Sequence, residues 1–225
     1  MGGEGMTRPL RVLFGCERSG IGRNAARALG HDAWSCDTEP AEDATDRHIV
    51  GDVREVLADG WDIGIFHPPC TRLCRSGHRW LFGPDETHPR ALPAGRTWQD
   101  MLREFEAGVD LFLACWNAPI PRVAVENPVM HKPARARMPA GLPAPQIVQP
   151  WWFGHPEFKA TGWYLRGLPP LVPEGQLTPP KPGTDEYRAW SRVHRMSPGP
   201  ERARLRARSY PKMMTSAVRQ WTAKA

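Results

Sequence analysis

The stretch Trp61–Gly77, WDIGIFHPPCTRLCRSG, decides how the rest of the chain is read. Ile63 to Phe66 is a short apolar run of strand character, closed by His67 and the pair Pro68-Pro69. Proline cannot continue a central ladder, so the strand must stop there. In an open α/β sheet, ligands sit just outside the carboxyl ends of strands, and Cys70 falls just past such an end. A thiol held by two stiff prolines has few rotational options, which suits a nucleophile. The alternative is a proline turn in which Cys70 is a small buried filler.

Working outward, the same strand-then-polar pattern recurs. Leu10 to Phe14 is a buried-type strand; the turn Gly15-Cys16-Glu17-Arg18 leads into a helix that Ser19 can cap and Gly30 can end. A second strand, His31 to Cys36, ends in Asp37, and a third, Ile49 to Val53, carries Asp52 at its tip. After a proline-rich loop, Thr97 to Trp116 has apolar residues at helical spacing, with Thr97 and Asp100 in a capping-box pattern. Arg122 to Val125 is a fifth strand, ending in Glu126-Asn127-Pro128. Further strands are expected over Ile147 to Phe153 and Gly162 to Leu165. A last helix begins at Pro211 and buries Met214, Ala217, Val218 and Trp221. Such alternation predicts an α/β fold, a mostly parallel sheet with helices on both faces. Asp37, Asp52, Cys70 and Glu126 then converge on one edge of it.

The bulk properties fit one full domain of 225 residues. No apolar run approaches the roughly 18 residues of a membrane span. The opening MGGEGMTRPL lacks a signal-peptide core, so a cytosolic protein is expected. Five cysteines at irregular spacing argue for reduced thiols. The net charge is +6, and the excess is concentrated: from Lys181 onward eleven Lys and Arg face three acids. A basic segment of this kind attracts phosphate by Coulomb forces and counterion release, although a solvated tail has the same composition.

The turn Gly15 to Gly22 is neither GxGxxG nor a Walker loop, so alone it is a weak nucleotide signal. Asp37 stands where a ribose-hydroxyl acceptor belongs. Asp52 either accepts from an adenine amino group or caps the helical turn VREVL.

Taken together, Phe14-Gly15-Cys16 with Ser19-Gly20, then Asp37, Gly51-Asp52-Val53, Pro68-Pro69-Cys70 and Glu126-Asn127 resemble the motif order of cytosine-C5 DNA methyltransferases, most closely a compact, phage-type branch. The family pattern PPCQxFSxxG is met by Pro68 to Gly77, with Thr71 for Gln, Leu73 for Phe and Cys74 for Ser. The segment Gly154 to Thr161 lies where the family has G-x-P-Q-x-R-x-R, with Glu157 and Lys159 in the Gln and first Arg places. The resemblance implies a Rossmann-like, S-adenosylmethionine-dependent methyltransferase fold. Its parts would be a catalytic core over 8–170, a reduced target-recognition segment over 171–208 and a returning helix over 209–225.

It further implies Cys70 as the nucleophile at cytosine C6, Glu126 as the acid at N3 with a raised pKa, and Lys159 as an orienting group. Phe14, Cys16, Ser19, Gly20, Asp37, Asp52, Val53 and Pro68 would line the cofactor. Arg72, Arg75, Ser76, Arg188, Arg192, Arg195, Arg204 and Arg206 would touch DNA, mostly at phosphate. The implied partner is double-stranded DNA with a flipped cytosine, met by a monomer. Trp190 or the loop at Trp80 could fill the gap a flipped base leaves, though a core role suits either. Three other readings compete. One is an amino-methyltransferase acting on DNA, another a nucleic-acid-binding protein without catalysis. The third is zinc bound by His67, Cys70, Cys74 and His78.

Overall fold

A computed structural model describes residues 8–83, 91–197, 199, 205–206 and 208–223. Seven strands form one sheet: β1 (Arg11–Gly15), β2 (Asp32–Asp37), β3 (His48–Val50), β4 (Ile63–Phe66), β5 (Arg122–Glu126), β6 (Gln146–Val148) and β7 (Thr161–Arg166). Their spatial order is β3-β2-β1-β4-β5-β7-β6. Strands β3, β2, β1, β4 and β5 are mutually parallel, while β7 runs antiparallel to both its neighbours. The order reverses beside β1, where a doubly wound, Rossmann-like sheet opens a crevice. The α/β class expected from the sequence is the one observed.

Helices cover both faces. On one side α1 (Ile21–Ala28) packs with the last helix, here α7 (Pro211–Thr222), over Val12, Phe14, Ile63, Ile65 and Ala124. The other face carries α3 (Trp98–Trp116), whose Met101, Phe105, Val109, Phe112 and Cys115 are buried against Leu13, Phe66, Val123 and Val125. β4 is buried at all four residues because helices lie on both its faces, which is why its sequence is continuously apolar. Thr97 is the N-cap of α3 with the reciprocal capping box in place. The buried face of α7 is Met213, Met214, Ser216, Ala217, Val218 and Trp221.

Three boundaries differ from the sequence reading. The expected run Ile147 to Phe153 ends as a strand at Val148, and Pro150 to Phe153 form a 3-10 turn, since proline at 150 has no N–H for a ladder. β3 stops at Val50, so Asp52 is not a strand tip but the N-cap of the 3-10 turn Val53–Glu55. At α1 the N-cap is Gly20 with φ 70°, not Ser19, although Ser19 Oγ still accepts from the Ile21 amide at 3.3 Å.

α1 is anchored by a polar contact. Arg23 is fully buried; its guanidinium donates to Asp43 at 2.5 and 2.6 Å and to Ser35 Oγ at 2.6 Å. Arg23→Ala takes one partner from Ser35 Oγ, which keeps His48 Nδ1 at 2.8 Å, and removes the guanidinium that holds both oxygens of Asp43, whose side chain is only 35% exposed. Breaking a fully buried pair costs about 3–5 kcal/mol, and partial hydration of Asp43 lowers the expected loss to about 2 kcal/mol. Urea denaturation of the two proteins measures it.

Candidate active site

The sheet register sets the site. Phe66 pairs with Val125 across β4 and β5, so the next residues, His67 and Glu126, leave the sheet side by side. His67 Nδ1 lies 2.5 Å from Glu126 Oε2, and both side chains are largely buried, 11% and 22% exposed. The His67 amide is tied to the Gly15 carbonyl at 2.9 Å, which joins the end of β4 to the first turn. Pro68 is buried and Pro69 exposed, and the chain then turns on the Cys70 carbonyl, which accepts from the amides of Leu73 and Cys74. Cys74 caps the short helix α2 (Arg75–His78). Gly77 completes the turn: a Cβ there would stand 2.0 Å from the Thr71 carbonyl oxygen. No larger residue fits without moving the backbone that carries Cys70.

Cys70 and Cys74 share a proton. The Cys70 thiol is held well above its ordinary pKa, first by its hydrogen bond to Cys74, then by burial and the negative charges of Cys74 and Glu126; Arg206 opposes this. Cys74 is drawn down, first by the same bond and, against burial, by the Ser76 hydroxyl 3.0 Å away and the amides at the start of α2. The two thiols titrate as a pair, Cys74 drawn down and Cys70 held up by the bond between them.

Glu126 departs from expectation. Burial pushes its pKa up, but the His67 bond and the charges of His67 and Lys159 outweigh burial, and the net shift is downward. An ionised carboxylate, not a raised one, is the resting form. Asn127 is fully buried, its amide bonded to the Gly162 carbonyl, and its Oδ1 has no partner among the described residues. Lys159 influences both Glu126 and Cys70 electrostatically, and its own pKa is lowered by burial. Its ammonium donates to the Arg208 carbonyl at 3.0 Å and sits 5.3 Å from the Tyr210 ring. It is thus a nearby charge rather than a hydrogen-bonding partner of Cys70.

The first turn is built closely. Phe14 is fully buried against Gly22, and Val53 and Phe66 press on Gly15, where a Cβ would meet them at 2.6 and 2.4 Å. Cys16 has φ 56° and its thiol, bonded to Cys115, is pushed well up. Asp37 Oδ1 accepts from the Glu39 amide at 3.0 Å. Asp52 accepts from the Arg54 amide and pairs with its guanidinium through both oxygens, so of its two sequence readings the capping one is observed. Glu17, which the sequence reading passed over, is 5% exposed. Its Oε1 accepts from Ser19 and the Ile21 amide, while Oε2 is buried and has no partner among the described residues.

The basic residues divide. Arg72 is turned inward: its side chain is 11% exposed and its Nε donates to Glu104 of α3 at 2.7 Å. Arg75 and Ser76 are exposed on α2; Arg75 lines an open groove of about 770 Å³ with His78, His131, Lys132 and Arg135. Arg188 is exposed in α5 (Asp185–Trp190) beside Asp185, and Arg192 and Arg195 are exposed in α6 (Arg192–Arg195). Arg206 is exposed yet close enough to lower the pKa of both Cys70 and Lys159. Arg204 lies outside the described residues. Trp190 is a core residue, 6% exposed against Phe158, whose amide bonds the Trp190 carbonyl at 2.9 Å.

Among the described residues no group of three or more His, Cys, Asp and Glu is arranged to hold a metal ion. Of the four residues the zinc reading needs, His67 bonds Glu126, and His78 packs on Phe82 and His131. Among the described residues no helix is long and apolar enough to cross a membrane.

No family model and no curated protein matches the chain. Solved structures do. One, described as a DNA modification methyltransferase encoded within an E. coli prophage, aligns at 14% identity and TM-score 0.43, over 69% of this chain and 46% of that one. The Dnmt2 methyltransferase of S. pombe aligns at 16% identity and TM-score 0.41, over 70% and 49%. The chain spans about half the length of each structure. A likeness at this level does not extend to activity.

Proposed function

We propose that the chain is an S-adenosylmethionine-dependent methyltransferase that modifies C5 of cytosine in DNA through a transient bond between Cys70 and C6. One observation carries the reading. Cys70 and Glu126 leave adjacent parallel strands at the same sheet edge and feel one another's charge, with Lys159 and Arg206 close by. A thiol and a carboxyl so placed can grip one six-membered ring at C6 and N3.

In this reading Cys74 accepts the Cys70 proton along the bond they already share, and the freed sulfur adds to C6. Glu126 holds N3, and the cations at Lys159 and Arg206 offset the negative charge that gathers when the base enters. The cofactor, when bound, supplies an electrophilic methyl group to C5. The first turn fits such a cofactor: Asp37 retains an oxygen for a ribose hydroxyl, and the orphaned Glu17 Oε2 is a buried acceptor suited to an ammonium group. Phe14 contributes by packing α1 beneath the turn rather than by direct contact. For DNA, Arg75 with Lys132 and Arg135 offers a phosphate groove, and Arg188, Arg192, Arg195 and Arg206 lie on the segment 171–208 that recognises the target. Double-stranded DNA requires the cytosine to leave the stack before a buried thiol can reach it.

The test is incubation of the full chain with S-adenosylmethionine and DNA carrying 5-fluorocytosine. A sulfur–C6 enzyme stays attached because fluorine cannot leave as a proton does. Radiolabelled methyl groups entering ordinary DNA with no trapped complex would refute the covalent route and favour amino-methylation.

Glu17 gives a separate prediction. Glu17→Gln keeps an acceptor for Ser19 and Ile21 but removes the charge. A hydrogen bond to a charged group is worth about 1.5–3 kcal/mol, so the Kd for S-adenosylmethionine is expected to rise about tenfold or more by calorimetry.

A further inference from the structure

Glu126 raises a question of proton supply. An ionised carboxylate accepts hydrogen bonds and cannot donate to the N3 lone pair of cytosine. A proton has to reach it from a neighbour. Among the described residues the side chain of Glu126 has one hydrogen-bonding partner, His67, at 2.5 Å. Lys159 is directed to the Arg208 carbonyl. Cys70 offers no proton once it is the nucleophile. His67 is held by the β4 backbone and by an edge-to-face contact with Trp163, ring centres 5.4 Å apart at 78°. Among the described residues its Nε2 is buried with no partner, so Nδ1 is the ring nitrogen engaged there.

Resting on the cytosine reading, we infer that His67 is the positioning residue of Glu126 and the source of the proton that Glu126 delivers to N3. The relay draws on the imidazolium–carboxylate form of the pair, which shares one transferable proton along the 2.5 Å contact. As the Cys70 sulfur bonds C6, the ring's electron pair moves toward N3; Glu126 gives N3 a proton and takes the Nδ1 proton in exchange. His67 is left neutral, with its hydrogen on Nε2. When C5 has lost its proton to water and the sulfur is expelled, the N3 proton returns to Glu126 and the Nδ1 proton to His67. The pair ends as it began. Lys159 and Cys70 are the other charges that act on Glu126; Glu157 and Arg206 act on Lys159, and Cys74 on Cys70. None of them forms a bond to Glu126 among the described residues.

The experiment is kcat/KM for methyl transfer to cytosine DNA between pH 5.5 and 9, for the full wild-type chain and His67→Gln. Glutamine still donates to Glu126 but carries no exchangeable charge. The expected result is a loss of about 100-fold at pH 7.5, the scale of general acid catalysis, with the alkaline limb displaced to lower pH. In a Glu126→Gln background the same His67 change adds no further loss, because the relay is already cut. An unchanged pH profile, or losses that multiply in the double variant, overturns the assignment. If circular dichroism shows His67→Gln misfolded, His67→Asn makes the same comparison with a shorter amide. A wild-type chain that forms no 5-fluorocytosine adduct refutes the cytosine reading itself. A wild-type adduct with an unaltered His67→Gln profile refutes only the role of His67.

Discussion

Cys70→Ser is expected to lower methyl transfer by at least about 10⁴-fold and to abolish the trapped 5-fluorocytosine complex, while leaving the folding midpoint in urea unchanged. Removing a covalent nucleophile typically costs 10⁴-fold or more, because the remaining groups have nothing to act with. The exchange of sulfur for oxygen is nearly isosteric. Cys70 is only partly buried, and the turn is held by its carbonyl rather than its side chain. The paired control is Cys74→Ser. Cys74 is drawn down and, in the proposed reaction, takes the Cys70 proton, so its loss leaves the nucleophile in place without a base. A raised Cys70 pKa is populated as thiolate only when something takes the proton. Cys74→Ser is therefore expected to turn over, with the acid limb of its pH profile moved to higher pH. Alkylation of Cys70 by iodoacetamide across pH reads the same shift without any substrate. Turnover and a trapped complex kept in Cys70→Ser but lost in Cys74→Ser would place the nucleophile at Cys74 instead and leave the twin prolines without that role.

Part of the fold is legible in the residues alone. β4 is legible because a strand covered on both faces must be apolar throughout, and because two prolines must end it. α3 is legible from its period and its cap. The direction of β7 is not: alternation and apolarity are the same whether a strand runs with or against its neighbour. The 3-10 turn at Pro150 was open to reading, since a proline within an expected strand has no N–H to contribute. Arg72 resembled its neighbour Arg75 in sequence, yet one meets Glu104 across 32 residues and the other meets solvent. Only the contact of the turn before α2 with α3 separates them. His67 and Cys74 were visible as residues, but their roles were not. A polar side chain directly after β4, level with Glu126 after β5, was the available sign, and it becomes informative only once the two strands are known to pair.

Glu126 offers the second large effect, because its two obvious replacements part company. Glu126→Ala removes the group at N3 and leaves His67 Nδ1 buried without its acceptor. Methyl transfer is expected to fall about 10³-fold, within the range general acids supply, and stability at pH 7 falls with it. Glu126→Gln keeps an amide oxygen for His67 and an NH₂ that can donate to N3, but it cannot pass a proton. Its activity should lie between wild type and Glu126→Ala, with folding close to wild type at neutral pH. The stability comparison has a sign that pH reveals. The folded carboxyl titrates below its unfolded value of about 4.3, so its ionised form contributes stability above that pH and loses it as pH falls through the folded value. Gln has no such dependence. Urea unfolding of wild type and Glu126→Gln should therefore diverge between pH 7 and pH 3, with wild type losing the advantage toward acid. If wild type instead gained on the variant as pH fell, Glu126 would be resting protonated, and no partner would be needed to bring its proton.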